Sequence, residues 1–350
     1  MKNFIKFICF LLVLTAVFSI SNYAVCTTDQ SDTLHIKGFF KEKENTLDVL
    51  LIGSSELYTG FNSPLAWQEY GFTSYSLTYS GFPGTLYEAA LAQALTTQNP
   101  KLVVFEINGF LYSDKMMKRD AKMHTWFDNA PKNEVTEEYI NKLIPEEKKL
   151  EYNLPFYKFH SNWKHPLLSL SNMLGKLKMD IDGVSYTKSF SSNNETRKNN
   201  DFINRKNHFS KKSKNALISL LEFCKEKGLK QVLFMRAPHC VNNMSPKAYK
   251  KIEKLVKSYG YDFADFENSF DEIGLDTQHD FYNYDHLNIY GMEKNTRFLS
   301  QYFLDKYDIK SNHSQKTVDT WNLCAEKTAK LVEKCKKSKS NKRYYEIYAF

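Results

Sequence analysis

The sequence predicts an α/β protein: a parallel sheet covered by helices on both faces, in three layers, with one large insertion. Three observations carry this. Short apolar runs of strand length alternate with amphipathic stretches of ten or more residues, the pattern of strands joined by crossover helices. The chain has 350 residues, 42% of them hydrophobic, enough to bury a core in one large domain or two small ones. A charged fraction of 25% beside 26 Phe and 22 Tyr excludes a disordered or collagen-like chain.

The first strand is expected at residues 47–52, an apolar run ended by Gly53, and the second at 72–77. Leu86, Ala89, Ala90, Ala94 and Leu95 recur at helical spacing and stop before Pro100; residues 102–107 are the third strand. A helix over 215–227 runs into Gly228, followed by a fourth strand at 231–235, a helix at 248–259, a fifth strand at 261–266 and a closing helix at 289–303. Residues 111–210 break this alternation. They carry scattered aromatics (Trp126, Phe127, Tyr157, Phe159, Trp163) and a polar stretch over 189–200, an insertion of the kind that shapes a substrate cleft. Beyond Lys310, a last helix lines up Trp321, Cys324, Ala325, Thr328, Leu331, Val332 and Cys335 on one side. Packing on the domain is the simpler use of such a stripe, and a membrane or partner contact the alternative. The expected division is a leader (1–26), a polar linker (27–45), the α/β domain (46–310, insertion about 111–210) and a C-terminal amphipathic helix with a basic tail (311–350).

Lys2 and Lys6 precede an uncharged run from residue 7 to 20, the build of a secretory leader. A spanning helix needs roughly 20 residues, which the run reaches if residues 21–25 join it. A cleaved signal peptide and a single-pass anchor are both open; the missing small-x-small cleavage site favours the anchor, and a lipoprotein site at Cys26 lacks the small residue wanted at Val25. The basic residues lie before the run, so the remaining chain is expected outside the cytoplasm.

Of the net charge of +8, the last 25 residues hold +5, with eight Lys/Arg against three Glu. The nearly neutral remainder argues against a nucleic-acid-binding fold. Cys224, Cys240, Cys324 and Cys335 form no C-x-x-C and read as structural thiols, with one or two disulfides open to an oxidising compartment. The nine His show no paired ligand spacing and no Gly-rich phosphate loop with Lys follows a strand, so neither metal nor cofactor is expected.

Two segments carry chemistry. Gly53-Ser54-Ser55-Glu56-Leu57 directly follows the first strand, at the sheet edge where ligands bind and where turn amides can face an oxyanion. Alone, it reads as an ordinary turn and helix cap. Near the other end, Asn283-Tyr284-Asp285-His286-Leu287-Asn288, followed by Gly291, precedes the closing helix. A His with a neighbouring carboxylate or amide can be held in one tautomer and take a proton from a serine.

Together these segments resemble the SGNH (GDSL-type) hydrolase superfamily, with its flavodoxin-like sheet, and Gly-Ser-Ser-Glu-Leu resembles its membrane-anchored, DltD-like and acyltransferase-associated branch. The resemblance covers roughly residues 47–108 and 231–303; residues 156–163 look like that branch's insertion at lower specificity. It implies Ser55 as nucleophile, His286 as base and an oxyanion amide at Gly81, in Tyr79-Ser80-Gly81. It departs from the family in two places. Asn108 lies near the family's Gly-x-Asn-Asp position but outside that motif, so either it donates to the oxyanion from a shifted place or the hole has backbone donors alone. Three residues before His286 stands Asn283 rather than Asp. Asp285 and Asp280 are the carboxylates near enough to substitute, and the three-residue offset favours Asn283 as the group that orients the ring. The resemblance implies a serine esterase or O-acyltransferase acting through an acyl-enzyme on an ester of a cell-surface glycan or envelope polymer, with a membrane-bound O-acyltransferase as a possible partner. The competing expectation is a non-catalytic binding or assembly subunit that keeps the fold.

Overall fold

The computed structural model describes residues 1–25, 30–154, 185–197 and 201–338, with isolated positions between 164 and 181. Its strands are β1 (Val49–Gly53), β2 (Ser74–Thr78), β3 (Leu102–Glu106), β4 (Ile203–Arg205), β5 (Val232–Arg236), β6 (Val241–Asn243) and β7 (Asp262–Asp265). Five of them form one parallel sheet in the order β2-β1-β3-β5-β7, and β4 pairs with β6 separately. Counting main-sheet strands alone, this is the 2-1-3-4-5 order of a doubly wound fold.

The helices that build the layers are α1 (Lys2–Val25), α2 (Gln30–Phe39), α3 (Ser55–Gly60), α4 (Ser63–Tyr70), α5 (Tyr87–Ala94), α6 (Lys211–Glu226), α7 (Pro246–Ser258), α8 (Ile289–Lys306) and α9 (Gln315–Lys337). Alternation along the strands sorts the core into two faces. Leu50, Ile52, Val103, Phe105, Val232 and Phe234 pack with side chains of α5, α6 and α7. Val49, Leu51, Val104, Leu233 and Met235 face the other way, against Leu57, Ala66, Leu299 and Phe303 of α3, α4 and α8. Each fully buried Leu, Ile or Phe contributes about 1.5–3 kcal/mol. The three-layer α/β/α expectation holds, with strand limits shifted by one or two residues.

Residues 30–39 correct the expected linker: α2 sets Leu34, Ile36 and Phe39 into the domain. It is tied by its polar groups as well. Tyr75 donates its hydroxyl to the His35 carbonyl at 3.0 Å, and the Ser80 N–H donates to Asp32 at 2.8 Å. Alternating polar side chains hide this helix from periodicity, because the surfaces that meet it satisfy those groups too. The C-terminal helix α9 also belongs to the domain: Trp321 packs against Trp67 at 5.9 Å between ring centroids, and Leu331 is half-buried. The polar stretch over 189–200 is buried from Ser189 to Asn193, where the Ser191 N–H donates to the Tyr58 carbonyl at 2.9 Å. Cys26, residues 156–163 and the tail beyond 338 lie outside the described residues.

Residues Lys2–Tyr23 of α1 form a 22-residue helix, exposed along its apolar run and long and apolar enough to cross a membrane by length and composition. Cys224, Cys240, Cys324 and Cys335 are buried free thiols, so the disulfides left open do not form among them. Burial pushes the Cys224 and Cys240 thiols up to about 12, which makes them poor nucleophiles.

Candidate active site

The carboxyl ends of β1, β2 and β3 bring three sequence segments together. The turn after β1 is tight because Gly53 has no side chain: a Cβ there would sit 2.7 Å from Leu57 Cδ1 and 2.8 Å from Glu106 Cβ. Ser55 then opens α3, half-buried, with its amide among the unpaired N–H groups of a first helical turn. Ser54, capping no amide, donates its hydroxyl to Glu56 at 3.0 Å.

His286 comes from a loop closed by the antiparallel Phe281–Leu287 bridge and a bond from the Tyr282 N–H to its own carbonyl at 3.1 Å. Tyr282 stacks on the imidazole, centroids 5.3 Å apart and planes 9° from parallel. Asn283 Oδ1 accepts the Asp285 N–H at 2.9 Å and lies 2.9 Å from His286 Nδ1. Since the backbone N–H can only donate, the atom facing the ring is an acceptor and Nδ1 carries the proton. The bare Nε2 then faces Ser55 Oγ at 2.7 Å, within reach to take its proton.

The two carboxylates considered for the third position are engaged elsewhere. Asp285 forms a two-pronged pair with Arg205 on β4, one contact at 3.0 Å. Asp280 accepts from Lys294 at 2.7 Å and from the Asp276 N–H at 2.6 Å. Neither turns to the imidazole, because a side chain adjacent to His286 diverges from the ring while the three-residue offset curls Asn283 back to it.

Gly81 sits at φ +66°, left-handed, and a Cβ would meet Met116 Cε at 3.0 Å. Its N–H has no acceptor among the described residues, whereas the neighbouring Ser80 N–H is taken by Asp32. Asn108 reaches the site, but its side-chain NH₂ points to Glu56 at 2.5 Å and Tyr112 at 3.3 Å. Both of its side-chain hydrogens are so engaged.

Sequence reasoning missed the buried ionic network beneath these groups. Arg236, at the end of β5, lies 3.0 Å from Glu106, 3.7 Å from Glu56 and 3.6 Å from Glu267. His239 turns Nε2 to Glu56 at 3.1 Å and Nδ1 to the Ala237 carbonyl at 2.6 Å. Burial opposes ionisation of Glu56, but the His239 hydrogen bond and charge and the Arg236 charge outweigh it and hold the carboxyl well below its usual range. Burial, then the Glu56 charge, pushes the Glu106 carboxyl well above its usual range. Two acids side by side do not both ionise readily. Glu106 within an otherwise apolar strand was the visible signal.

Away from the sheet edge, Asp120, His124 and Glu151 bring possible ligand atoms within 4.8 Å of one another, a grouping invisible in His spacing alone. Tyr152 and Lys148 already engage the Asp120 carboxylate, at 3.0 and 3.4 Å, and Asp128 lies 3.1 Å from His124 Nδ1.

No protein-family model matches the chain, and no curated protein matches it.

Proposed function

We propose that the chain is an SGNH-type serine esterase or O-acyltransferase working outside the cytoplasm on an acyl ester of a cell-surface glycan or envelope polymer. The observation that carries this reading is the contact of 2.7 Å between Ser55 Oγ and His286 Nε2, with the ring's other nitrogen on Asn283. Ser55 attacks the ester carbonyl as His286 takes its proton, and the Ser55 and Gly81 amides receive the oxyanion. His286 then protonates the departing alkoxide, leaving the acyl group on Ser55. Water or a sugar hydroxyl, deprotonated by the same imidazole, attacks the acyl-enzyme and restores the serine. A membrane-bound O-acyltransferase is the partner this reading suggests, and α1, with Lys2 and Lys6 ahead of its apolar run, supports an anchored domain outside.

A serine-directed fluorophosphonate tests the reading. The native protein should label and Ser55→Ala should not, with its melting temperature within a few degrees. Equal labelling of both proteins rejects Ser55 as nucleophile. The uncharged Asn283 favours a second reading, a binding or assembly subunit on the same fold, which predicts no labelling of either protein.

A further inference from the structure

A cleft of about 580 Å³ opens between β6, the first turns of α7 and the carboxyl end of β7, on the sheet edge where Ser55 follows β1 and Gly81 follows β2. From β1 to β7 there are three strand steps, about 14 Å at ~4.8 Å each. A ligand that fills this cleft while presenting a group to Ser55 is therefore an oligomer.

The cleft is held by the buried network. Tyr249, on its wall, donates to Glu267 at 2.6 Å and accepts from Arg236 Nε at 3.0 Å, and Arg236 reaches Glu56, the residue after Ser55. On the opposite wall, Asn243 accepts the Ser245 N–H at 2.8 Å and Asn242 donates to Asn204 on β4 at 3.2 Å. The next residue of β4 is Arg205, which grips Asp285 beside His286. Both walls are thus tied to the two sides of the Ser55–His286 pair.

The lining sets the ligand class. Lys250 is its one basic side chain, against Glu253 and Asp265, while Glu267 is offset by Arg236 behind it, so the lining offers no net positive charge to a phosphate- or carboxylate-bearing polymer. Asn242, Asn243 and Asn268 line it; an amide has two N–H donors and two acceptor lone pairs, so Asn242 on Asn204, and Asn243 on Ser245 and Glu267, keep capacity for hydroxyls that both donate and accept. Phe263 and Pro246 add apolar surface for the flat face of a sugar ring.

We infer that this cleft binds an uncharged stretch of glycan and carries the ester-bearing sugar to Ser55, an inference that rests on the acyl-ester reading of that serine. The test is calorimetric titration of the full chain in nanodiscs, carrying Ser55→Ala to prevent turnover, with neutral xylo-, gluco- and N-acetylglucosamine oligosaccharides. Oligogalacturonate serves as the anionic probe and chitosan oligosaccharide as the cationic one. Saturable binding is expected for a neutral series, weakened about tenfold by the double change Asn242→Ala and Asn268→Ala, as the loss of two neutral hydrogen bonds implies. Both side chains are exposed and Asn242 loses only its exposed bond to Asn204, so circular dichroism should not change and melting should shift by no more than a few degrees. Three results overturn the inference: no saturable binding of any neutral series, binding indifferent to the double change, or tighter binding of either charged probe. Fluorophosphonate labelling of the unsubstituted protein is read separately, so failure of the serine reading and failure of the cleft show apart.

Discussion

Asn283 Oδ1 stands 2.9 Å from His286 Nδ1 while accepting the Asp285 N–H at the same distance. One neutral oxygen thereby fixes both the loop and the ring's tautomer. What it does not provide is a charge opposite the imidazolium that forms when His286 takes the serine proton. The nearby charge, on Asp285, is committed to Arg205.

Orientation and charge separate by mutation. Asn283→Ala removes the acceptor, and kcat/KM should fall by about 10²–10⁴, the upper figure being the loss from the wrong tautomer in a trypsin triad. Asn283→Asp restores a charge at the same offset and should hold or raise kcat/KM. Asp285→Asn should cost little, since the Arg205 pair is part-exposed and worth about 0–1 kcal/mol. Steady-state kinetics on a chromogenic ester checks all three. Loss of activity in Asp285→Asn with folding intact would make Asp285 the acid.

The proposed oxyanion role of Gly81 can be separated from backbone strain. Gly81→Ala places a Cβ against Met116 at φ +66°, while Gly71, at φ +76°, has nothing within 4 Å of a would-be Cβ. Either alanine should destabilise by about 1–2 kcal/mol through left-handed strain. Only Gly81→Ala should also lower kcat, by about 10²-fold or more, because it shifts an amide aimed at the oxyanion. Equal kcat in the two variants would remove Gly81 from the hole.

β1, β3 and β5 were legible because each is a largely apolar run buried on both faces, whereas β2, equally buried, carries Ser74, Ser76 and Thr78. The starts of β1 and β2 moved because Asp48 and Thr73 pair across the strand entry, the Thr73 N–H donating to Asp48 at 2.9 Å, and propensity does not register such a contact. Ser55 and His286 were visible as motifs, whereas α2 and the Arg236 network were not. A buried charge looks like a surface charge until its partners arrive, and Glu56, Glu106 and Glu267 reach Arg236 from three separate parts of the chain.

The proposed location rests on α1 and on Lys2 and Lys6 ahead of its apolar run. Protease added to intact cells should remove the folded domain and leave a short membrane-held fragment; quantitative protection of the domain, with cleavage after the cells are opened, would reverse the topology.

The Glu56–Glu106 pair makes a pH prediction of definite sign. Glu106 keeps its proton in the folded state at pH values where the unfolded carboxyl, near 4.3, has lost it. The folded protein then binds more protons, so this group lowers stability as pH rises above about 4.3, by up to about 1.4 kcal/mol per pH unit while the proton stays on. Glu56 runs the other way. Its folded pKa is depressed, so its contribution is present above the unfolded value and is lost as pH falls through the folded one. Glu106→Gln imitates the neutral acid and removes its titration. The variant should start less stable at pH 5, because Glu106 accepts from Arg236 and the Asn108 N–H on separate oxygens, at 3.0 and 2.8 Å, and glutamine turns an NH₂ donor to one of those two donors. The deficit should then shrink steadily toward pH 8. Urea unfolding at each pH measures it. A constant or widening deficit would mean that Glu106 is ionised in the folded state and that Arg236, at the centre of the network, holds more than one full negative charge.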